Sequence, residues 1–421
     1  MPRLWRRLRR IRRSNIVVTT ILIVLVVLMQ VLDFETEAEV FEAPQSAARF
    51  QDTPVVIAAG DPIVLGYAGP LSGPLIDETS DIAIAGVLRW KQLNGDLIGG
   101  HAVELVGEDD GGTIDDIAVV AANLLIDRPG LVGIVGPAFS SAADATIDIY
   151  AAAGVVMISG SATRRDLTLS QSQPPFFFRT AFTNAIQGAR QAEILIDRIA
   201  TGSAVIIDDG EAYGIDLAQS AVTGLRDAGW TIERISVPQG TVDFGAVIAP
   251  IRADSPDAVI YEGFNPDGAL LLRQLRDAGY AGLFVTGDGV VSQSAFLDVL
   301  GDSAEGAILT GCPESLSAEF LDIWQESGGG PVPIIGLVGN TADAAFILID
   351  AVAQVAEPQP DGSLIIDPRA LRDAVANTNL TGWASGHPIA FDSQGDRVGQ
   401  GVDAGLVACE VRNGVFAEIE S

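Results

Sequence analysis

The sequence predicts an α/β protein: two doubly wound parallel-sheet lobes joined by a multi-strand hinge, behind an N-terminal transmembrane or signal helix. Three observations predict it. Short apolar runs of strand length alternate with amphipathic stretches of helix length, and the alternation restarts midway along the chain. A late block of helices and short strands is too small for a core of its own. A basic, apolar, acidic succession precedes everything else. With 421 residues, 48% apolar residues and 46 glycines, the chain has room for two ordinary domains behind a targeting segment.

The N-terminal element comes first. Arg3, Arg6, Arg7, Arg9, Arg10, Arg12 and Arg13 stand without an acid among them. Ile16 to Leu32 follows, an apolar run broken only by Thr19, Thr20 and Gln30, and then Asp33, Glu35, Glu37 and Glu39. At a rise of about 1.5 Å per residue the run spans roughly 25 Å, the short end of what crosses a bilayer. The arginines keep residues 1–15 cytoplasmic, make 16–32 a transmembrane anchor or signal helix, and put the body outside. A cleaved signal peptide shares the pattern. The run is long for one, however, and no small-x-small site follows closely, which favours an uncleaved anchor. No cysteine adjoins it to carry a lipid. Residues 33–60, rich in Glu, Ala, Gln and Pro, read as an extracytoplasmic stalk.

In the body, strand Ile63–Gly66 precedes helix 80–94, Val103–Val106 precedes 115–126, and Val132–Val135 precedes 141–152, with Val155–Ile158 next. Such continuous apolar runs suit strands buried on both faces of a parallel sheet. After Phe176–Arg179 the pattern restarts: helix 185–200, strand Ala204–Ile207, helix 214–228, strand Thr231–Ser236, helix 243–253, strand Ala258–Tyr261, helix 267–278, strand Leu283–Thr286. The late block has helices near 317–326, 340–356 and 368–377, and strands near Ile389–Phe391, Leu406–Glu410 and Val415–Glu418. It is expected to complete the two sheets already begun, which makes both lobes discontinuous: 61–182 with 311–392, and 183–310 with 393–421. Several chain crossings between lobes form a hinge rather than a linker.

Charge and motif content exclude several classes. The net charge is −30, and beyond the arginine segment 18 basic residues face 55 acids, a balance of −37 with Lys91 the only lysine. That body repels phosphate backbones and lacks a basic groove, which excludes nucleic acid. The acidity suits a well-solvated surface or a saline habitat and identifies no ligand. His101 and His387 lie far apart, no Cys-x-x-Cys or His-x-x-x-His spacing occurs, and no metal or cofactor is expected. No Gly-x-Ser-x-Gly occurs, and no Gly-x-Gly-x-x-Gly follows the first strand, so neither a nucleophile elbow nor a dinucleotide fingerprint is present.

An ordered set of short motifs carries a resemblance. After successive strands come Gly69-Pro70-Leu71-Ser72-Gly73-Pro74, Glu108-Asp109-Asp110 and Gly133-Ile134-Val135-Gly136-Pro137-Ala138-Phe139-Ser140-Ser141. Ile158-Ser159-Gly160-Ser161-Ala162-Thr163, Phe178-Arg179-Thr180, Tyr213-Gly214, Leu272-Arg273-Gln274 and Asp277-Ala278-Gly279 follow, then Ser303-Ala304-Glu305-Gly306 and Asp343-Ala344-Ala345. From about 62 to 416 the chain resembles type I periplasmic binding proteins, specifically the Leu/Ile/Val-binding branch that serves ABC transporters. The resemblance implies a non-enzymatic receptor, expected as a monomer, that closes on an amino acid and is recognised by membrane permease subunits. A ligand sensor with the same fold, taking an amide or small carboxylate, is the alternative. A more remote one is an α/β enzyme using Asp288 with Ser140 or Thr163.

With two such lobes, the ligand crevice lies between loops at the carboxyl ends of the strands, at 68–75, 136–141, 159–164, 208–213, 262–266 and 286–290. Ser141-x-x-Asp144 and Thr163-x-x-Asp166 have capping-box spacing, so each marks a helix start able to receive a carboxylate. By resemblance Ser140, Thr163 and the backbone around Ala162 hold the ligand carboxylate, and the Ser161 carbonyl and Asp288 receive its ammonium. Glu262 is a weaker second acceptor. Tyr213 and Phe264 occupy loops where the family uses aromatics, and Phe139 adjoins Ser140; each of the three is equally readable as core. Two departures stand out: Asp77-Glu78-Thr79-Ser80 where the family often has Tyr, and Asn184 where it has an acid, which favours a less cationic ligand. The resemblance also places Cys312 and Cys409 near segments that cross between lobes, where an extracytoplasmic compartment permits a disulfide.

Overall fold

The computed structural model describes residues 52–72, 79–312, 316–326, 337–399 and 405–419, all in the compact unit Arg49–Ser421. The basic segment, the apolar run and most of the stretch read as a stalk lie outside the described residues.

The first half runs β1 (Val55–Ile57), β2 (Ile63–Gly69), α1 (Thr79–Asn94), β3 (Leu97–Ile98), β4 (His101–Asp109), α2 (Asp115–Ile126), β5 (Leu131–Val135), α3 (Ser140–Ala152), β6 (Val156–Ser159) and β7 (Phe177–Arg179). Among the described residues β2 to β7 form a six-stranded sheet in the order β3-β4-β2-β5-β6-β7, parallel except for the β3–β4 hairpin. Every residue of β2, β5 and β6 is buried, the reason these strands read as unbroken apolar runs.

The chain then runs through α4 (Asn184–Arg198), β8 (Ser203–Asp208), α5 (Ala212–Asp227), β9 (Thr231–Ser236), α6 (Gly245–Asp254), β10 (Ala258–Glu262), α7 (Asp267–Asp277), β11 (Leu283–Thr286), the one-turn α8 (Asp298–Leu300) and β12 (Ala307–Thr310). Next come α9 (Ala318–Glu326), α10 (Val338–Val355), β13 (Glu357–Pro358), β14 (Leu364–Ile366), α11 (Pro368–Ala376), β15 (Asn379–Thr381), β16 (Pro388–Ala390), β17 (Ala408–Arg412) and β18 (Val415–Glu418). The second sheet has seven described strands in the order β18-β17-β12-β11-β10-β8-β9; its β8 to β12 part is parallel, and β17 and β18 add antiparallel at one edge.

Helices cover both faces of each sheet. On one face of the first, Val87 and Trp90 of α1 pack with Leu348 and Val352 of α10 against Val132 and Val156; on the other, Leu125 of α2 and Ile147 of α3 pack against Ile134 and Met157. The second sheet has Ile248, Ile251, Leu272 and Leu275 on one side, and Leu195, Ala218 and Leu225 on the other. Helix α10 is long and apolar enough to cross a membrane by composition, but it is mostly buried in the first lobe. Its place there is fixed by apolar contact and by a hydrogen bond from Trp90 Nε1 to Asp350 Oδ1 at 3.1 Å.

Val55–Ile57 falls within the range read as a stalk, yet it forms β1, paired antiparallel with β14, with Ile57 buried. Its partner lies some three hundred residues away, so no local signal separates this run from a tether.

The chain passes between sheets after β7, after β12 and before β17. At the first crossing the Arg397 guanidinium donates to the Thr180 carbonyl at 2.9 Å and to Asn340 Oδ1 at 3.0 Å. At the other two, Cys312 just beyond β12 is disulfide-bonded to Cys409 of β17.

Candidate ligand site between the lobes

On the first lobe, the β5–α3 loop turns at Gly136, whose φ is +111° and whose missing Cβ makes room for the Ala68 carbonyl. The Ser159 hydroxyl joins this loop to the next: it donates to the Pro137 carbonyl at 2.6 Å and accepts from Ala162 N at 2.9 Å. Ser161 Oγ donates to the Ala138 carbonyl at 2.7 Å, and buried Ser140 accepts from Arg164 N at 3.2 Å. Ser140, Ser161 and Ala162 therefore lie in two loops stitched together by hydrogen bonds to Arg164 N, the Ala138 carbonyl and Ser159 Oγ.

The capping-box reading needs correction at both positions. Helix α3 begins at Ser140, one residue early, and Phe139 precedes it without a side-chain cap, which leaves Ser141 inside the first turn. No α-helix follows Thr163; only a 3-10 turn, Arg165–Leu167, forms there. Arg164 explains this, because its guanidinium pairs with both Asp144 and Asp166 and takes Asp166 away from any return to the Thr163 backbone. No helix dipole is aimed at a ligand from residue 163. Thr163 itself is buried, its carbonyl accepting from Asn184 N at 2.8 Å and its hydroxyl lacking a partner among the described residues.

Arg179, at the end of β7, fixes this loop from beneath. Fully buried, it pairs with Asp396 at 2.6 Å and donates to the carbonyls of Ala162 at 3.1 Å and Arg164 at 2.6 Å. We expect Arg179→Met to cost about 3–5 kcal/mol, the loss typical of a broken buried ion pair. Denaturant unfolding checks the stability, and weaker ligand binding reports the loosened loop. An unchanged midpoint would count against this role.

On the second lobe, Gly287 lies so close to the Tyr213 hydroxyl and Leu217 that a Cβ would not fit. That approach sets Asp288 against Tyr213. Asp288 Oδ1 accepts from Tyr213 Oη at 2.9 Å and from Gln187 Nε2 at 2.8 Å. The residue as a whole is half-buried, and burial of its carboxyl pushes the pKa up to about 6 against the lowering effect of those two hydrogen bonds. Glu262, the weaker acceptor of the sequence reading, is fully buried beside the Gln191 amide and the Gly287 N–H. Burial first, then the charges of Asp288 and Asp209, raises its pKa well above the ordinary carboxyl value, against lowering hydrogen bonds from Gln191 and Gly287.

Asn184 opens α4, its N–H donating to the Thr163 carbonyl of the first lobe at 2.8 Å and its Nδ2 to the Tyr213 carbonyl at 3.3 Å and Asp216 Oδ2 at 3.0 Å in the second. The aromatic residues, equally readable as core, meet in one row across the lobes. Phe139 packs on Phe264 at 4.8 Å between ring centroids, and Phe264 on Tyr213 at 5.0 Å. Arg165 pairs with Asp216 and Thr113 Oγ1 donates to Gln239 at 3.0 Å, so the lobes are closed on each other. Beyond Phe264 a cavity of about 510 Å³ remains between them.

Gln187 and Arg179 were not among the site residues predicted from sequence. Gln187 had a legible trace, since Asn184, Gln187 and Gln191 repeat at i, i+3 and i+7 as a buried polar stripe on an otherwise amphipathic helix.

A profile of the family described as "Periplasmic binding protein" matches residues 62–406. The chain belongs to that family, in its Leu/Ile/Val-binding branch. A leucine-, isoleucine-, valine-, threonine- and alanine-binding protein of Pseudomonas aeruginosa is 27% identical over 347 residues, covering 80% of this chain and 88% of the relative. Two solved structures share the fold. A leucine-binding protein of Thermotoga maritima has a TM-score of 0.71 at 22% identity, covering 85% of this chain and 98% of its own. An ABC transporter solute-binding protein of R. palustris in complex with 4-hydroxybenzoate has a TM-score of 0.72 at 22% identity, covering 86% and 96%. Membership in the family implies an extracytoplasmic body and, at the level of the family, a binding protein rather than an enzyme.

Proposed function

We propose that this periplasmic binding protein is the receptor of an ABC importer, taking a branched-chain-like amino acid or close analogue into the interlobe cleft. The observation that carries the reading is Asp288, a half-buried residue whose one carboxyl oxygen is held by Tyr213 and Gln187. A carboxylate so placed is suited to an ammonium, and the Ser140, Ser161, Ala162 and Thr163 loops stand on the other side of the cleft to receive the ligand carboxylate. The lobes close about the hinge, and permease subunits in the membrane recognise the closed form. The N-terminal apolar segment keeps the receptor close to them.

The pH dependence of binding tests this. An ammonium ligand needs Asp288 ionised, so affinity is full above pH 6 and falls as pH drops below it, by up to about tenfold per unit, because a proton must be displaced. A carboxylate without an ammonium shows the opposite sign, binding better as Asp288 becomes neutral. Calorimetry between pH 4.5 and 8 with leucine and with benzoate separates the two. Asp209, which burial raises to about 7, titrates nearby; Asp288→Asn removes only the step near 6. Tighter leucine binding at low pH would sink the amino-acid reading in favour of a carboxylate ligand.

A further inference from the structure

Helix α5 carries two side chains that act in different places. Tyr213, in its first turn, holds Asp288 at the ligand site, while Asp216, one turn further on, lies where the two lobes meet. Asp216 Oδ1 accepts from Arg165 Nε at 2.7 Å and its Oδ2 from Arg165 N at 3.0 Å, both from the first lobe. The same Oδ2 accepts from Asn184 Nδ2 at 3.0 Å within the second lobe.

These bonds lead back to both halves of the ligand site. Arg165 stands two residues past Thr163, whose carbonyl accepts from Asn184 N at 2.8 Å. Asn184 Nδ2 also reaches the Tyr213 carbonyl at 3.3 Å. A closed circuit therefore runs from Thr163 through Asn184 and Asp216 to Arg165, and it crosses between the lobes twice.

The Arg165–Asp216 contact is of the stronger kind. Side-chain and main-chain donors of one residue meet both oxygens of one carboxylate, which fixes angle as well as distance. The Asp216 side chain is only 13% exposed, so water and salt screen the pair less than an open surface pair. Arg164 and Arg234 line the adjoining cavity of about 340 Å³, but neither competes for Asp216. Arg164 is taken by Asp144 and Asp166, and Arg234 by Asp208.

We propose that Asp216 is a positioning residue for the ligand site: through Arg165 it sets the Thr163 loop, on the carboxylate side of the cleft, against Tyr213 and Asp288 on the ammonium side. The pair forms as the lobes close and holds them shut over the ligand. Its loss therefore speeds release and leaves entry nearly unchanged. It also acts on every ligand by the same factor, because Asp216 works through the two loops and not on the ligand's side chain. Asn184 gains a second role in this circuit, its amide nitrogen being committed to Asp216 and the Tyr213 carbonyl. The inference rests on the amino-acid reading of the cleft.

The test compares the full chain with Arg165→Gln, Asp216→Asn and the double variant at pH 8. Association and release of labelled leucine and alanine are followed, with melting curves in the absence of ligand. Each single variant is expected to release both ligands about tenfold faster, the loss typical of a hydrogen bond to a charged group, with association within about threefold of the parent. The double variant is expected to stay within about threefold of the faster single one, since both substitutions break the same contact. Melting temperatures without ligand are expected to be unchanged. Arg165 is 42% exposed, so its substitution keeps the test available even if Asp216→Asn folds poorly. Unchanged release in Arg165→Gln, fully additive effects, or a change confined to the ligand-free melting temperature overturns the positioning role and leaves the amino-acid reading standing. A parent that binds neither leucine nor alanine overturns both.

Discussion

Asp288→Asn is expected to weaken amino-acid binding by roughly 100- to 1,000-fold, the range seen when one partner of an enclosed, hydrogen-bonded charge pair is removed. The substitution keeps the shape, and Gln187 and Tyr213 still find an oxygen at their hydrogen-bonding distance. What it removes is the charge opposite the ligand's ammonium. Unfolding does not account for the loss. The folded carboxyl has its pKa raised to about 6 by burial, so its contribution to stability is full below its ordinary pKa and disappears as pH rises through 6. At pH 8 the ionised group therefore opposes folding, and the asparagine variant is expected to be at least as stable as the parent. Titration calorimetry with a melting curve at pH 8 checks both halves. Full-strength binding by the variant would remove Asp288 from the site.

The second large effect concerns the disulfide. Cys312 and Cys409 are 97 residues apart in sequence, and bonding them closes a loop that spans the whole excursion of the chain through α9, α10 and α11. Replacing both with serine is expected to lower stability by about 2–5 kcal/mol, mainly by freeing the unfolded chain. The bond ties the strand from which the chain leaves the second sheet to the strand on which it returns, so its loss is also expected to loosen the hinge. Thiol titration of the denatured, unreduced protein should find no free group, and reductant should lower the denaturation midpoint of the parent but not of the double variant. Two free thiols would contradict the bridge.

Much of the lobe architecture was legible because its cause is local. Strands such as Ile63–Gly69 and Val156–Ser159 are buried on both faces, and burial of that kind writes itself as an unbroken apolar run. The helices between them repeat apolar residues at 3.6, and the loops after each strand follow from the topology of doubly wound sheets. Cleft residues were legible in part. Tyr213 and Asp288 meet, and Ser140, Ser161 and Ala162 lie in one stitched pair of loops.

Other features depend on side chains that a spacing rule does not weigh. Thr163-x-x-Asp166 has the spacing of a helix start, but Arg164 captures Asp166 and Arg179 captures the loop carbonyls, so a local propensity yields to two guanidinium groups. Sequence by itself determined the order of the main sheet strands and the helices between them, the acidity of the body and the family. Only the tertiary structure decided that Phe139 and Phe264 are cleft residues rather than core, that Gln187 holds Asp288, and that Val55–Ile57 is a strand. The physical reason is range: periodicity and burial act over a few residues, whereas the aromatic row, the Gln187–Asp288 hydrogen bond and the small sheet exist only where distant segments are brought into contact.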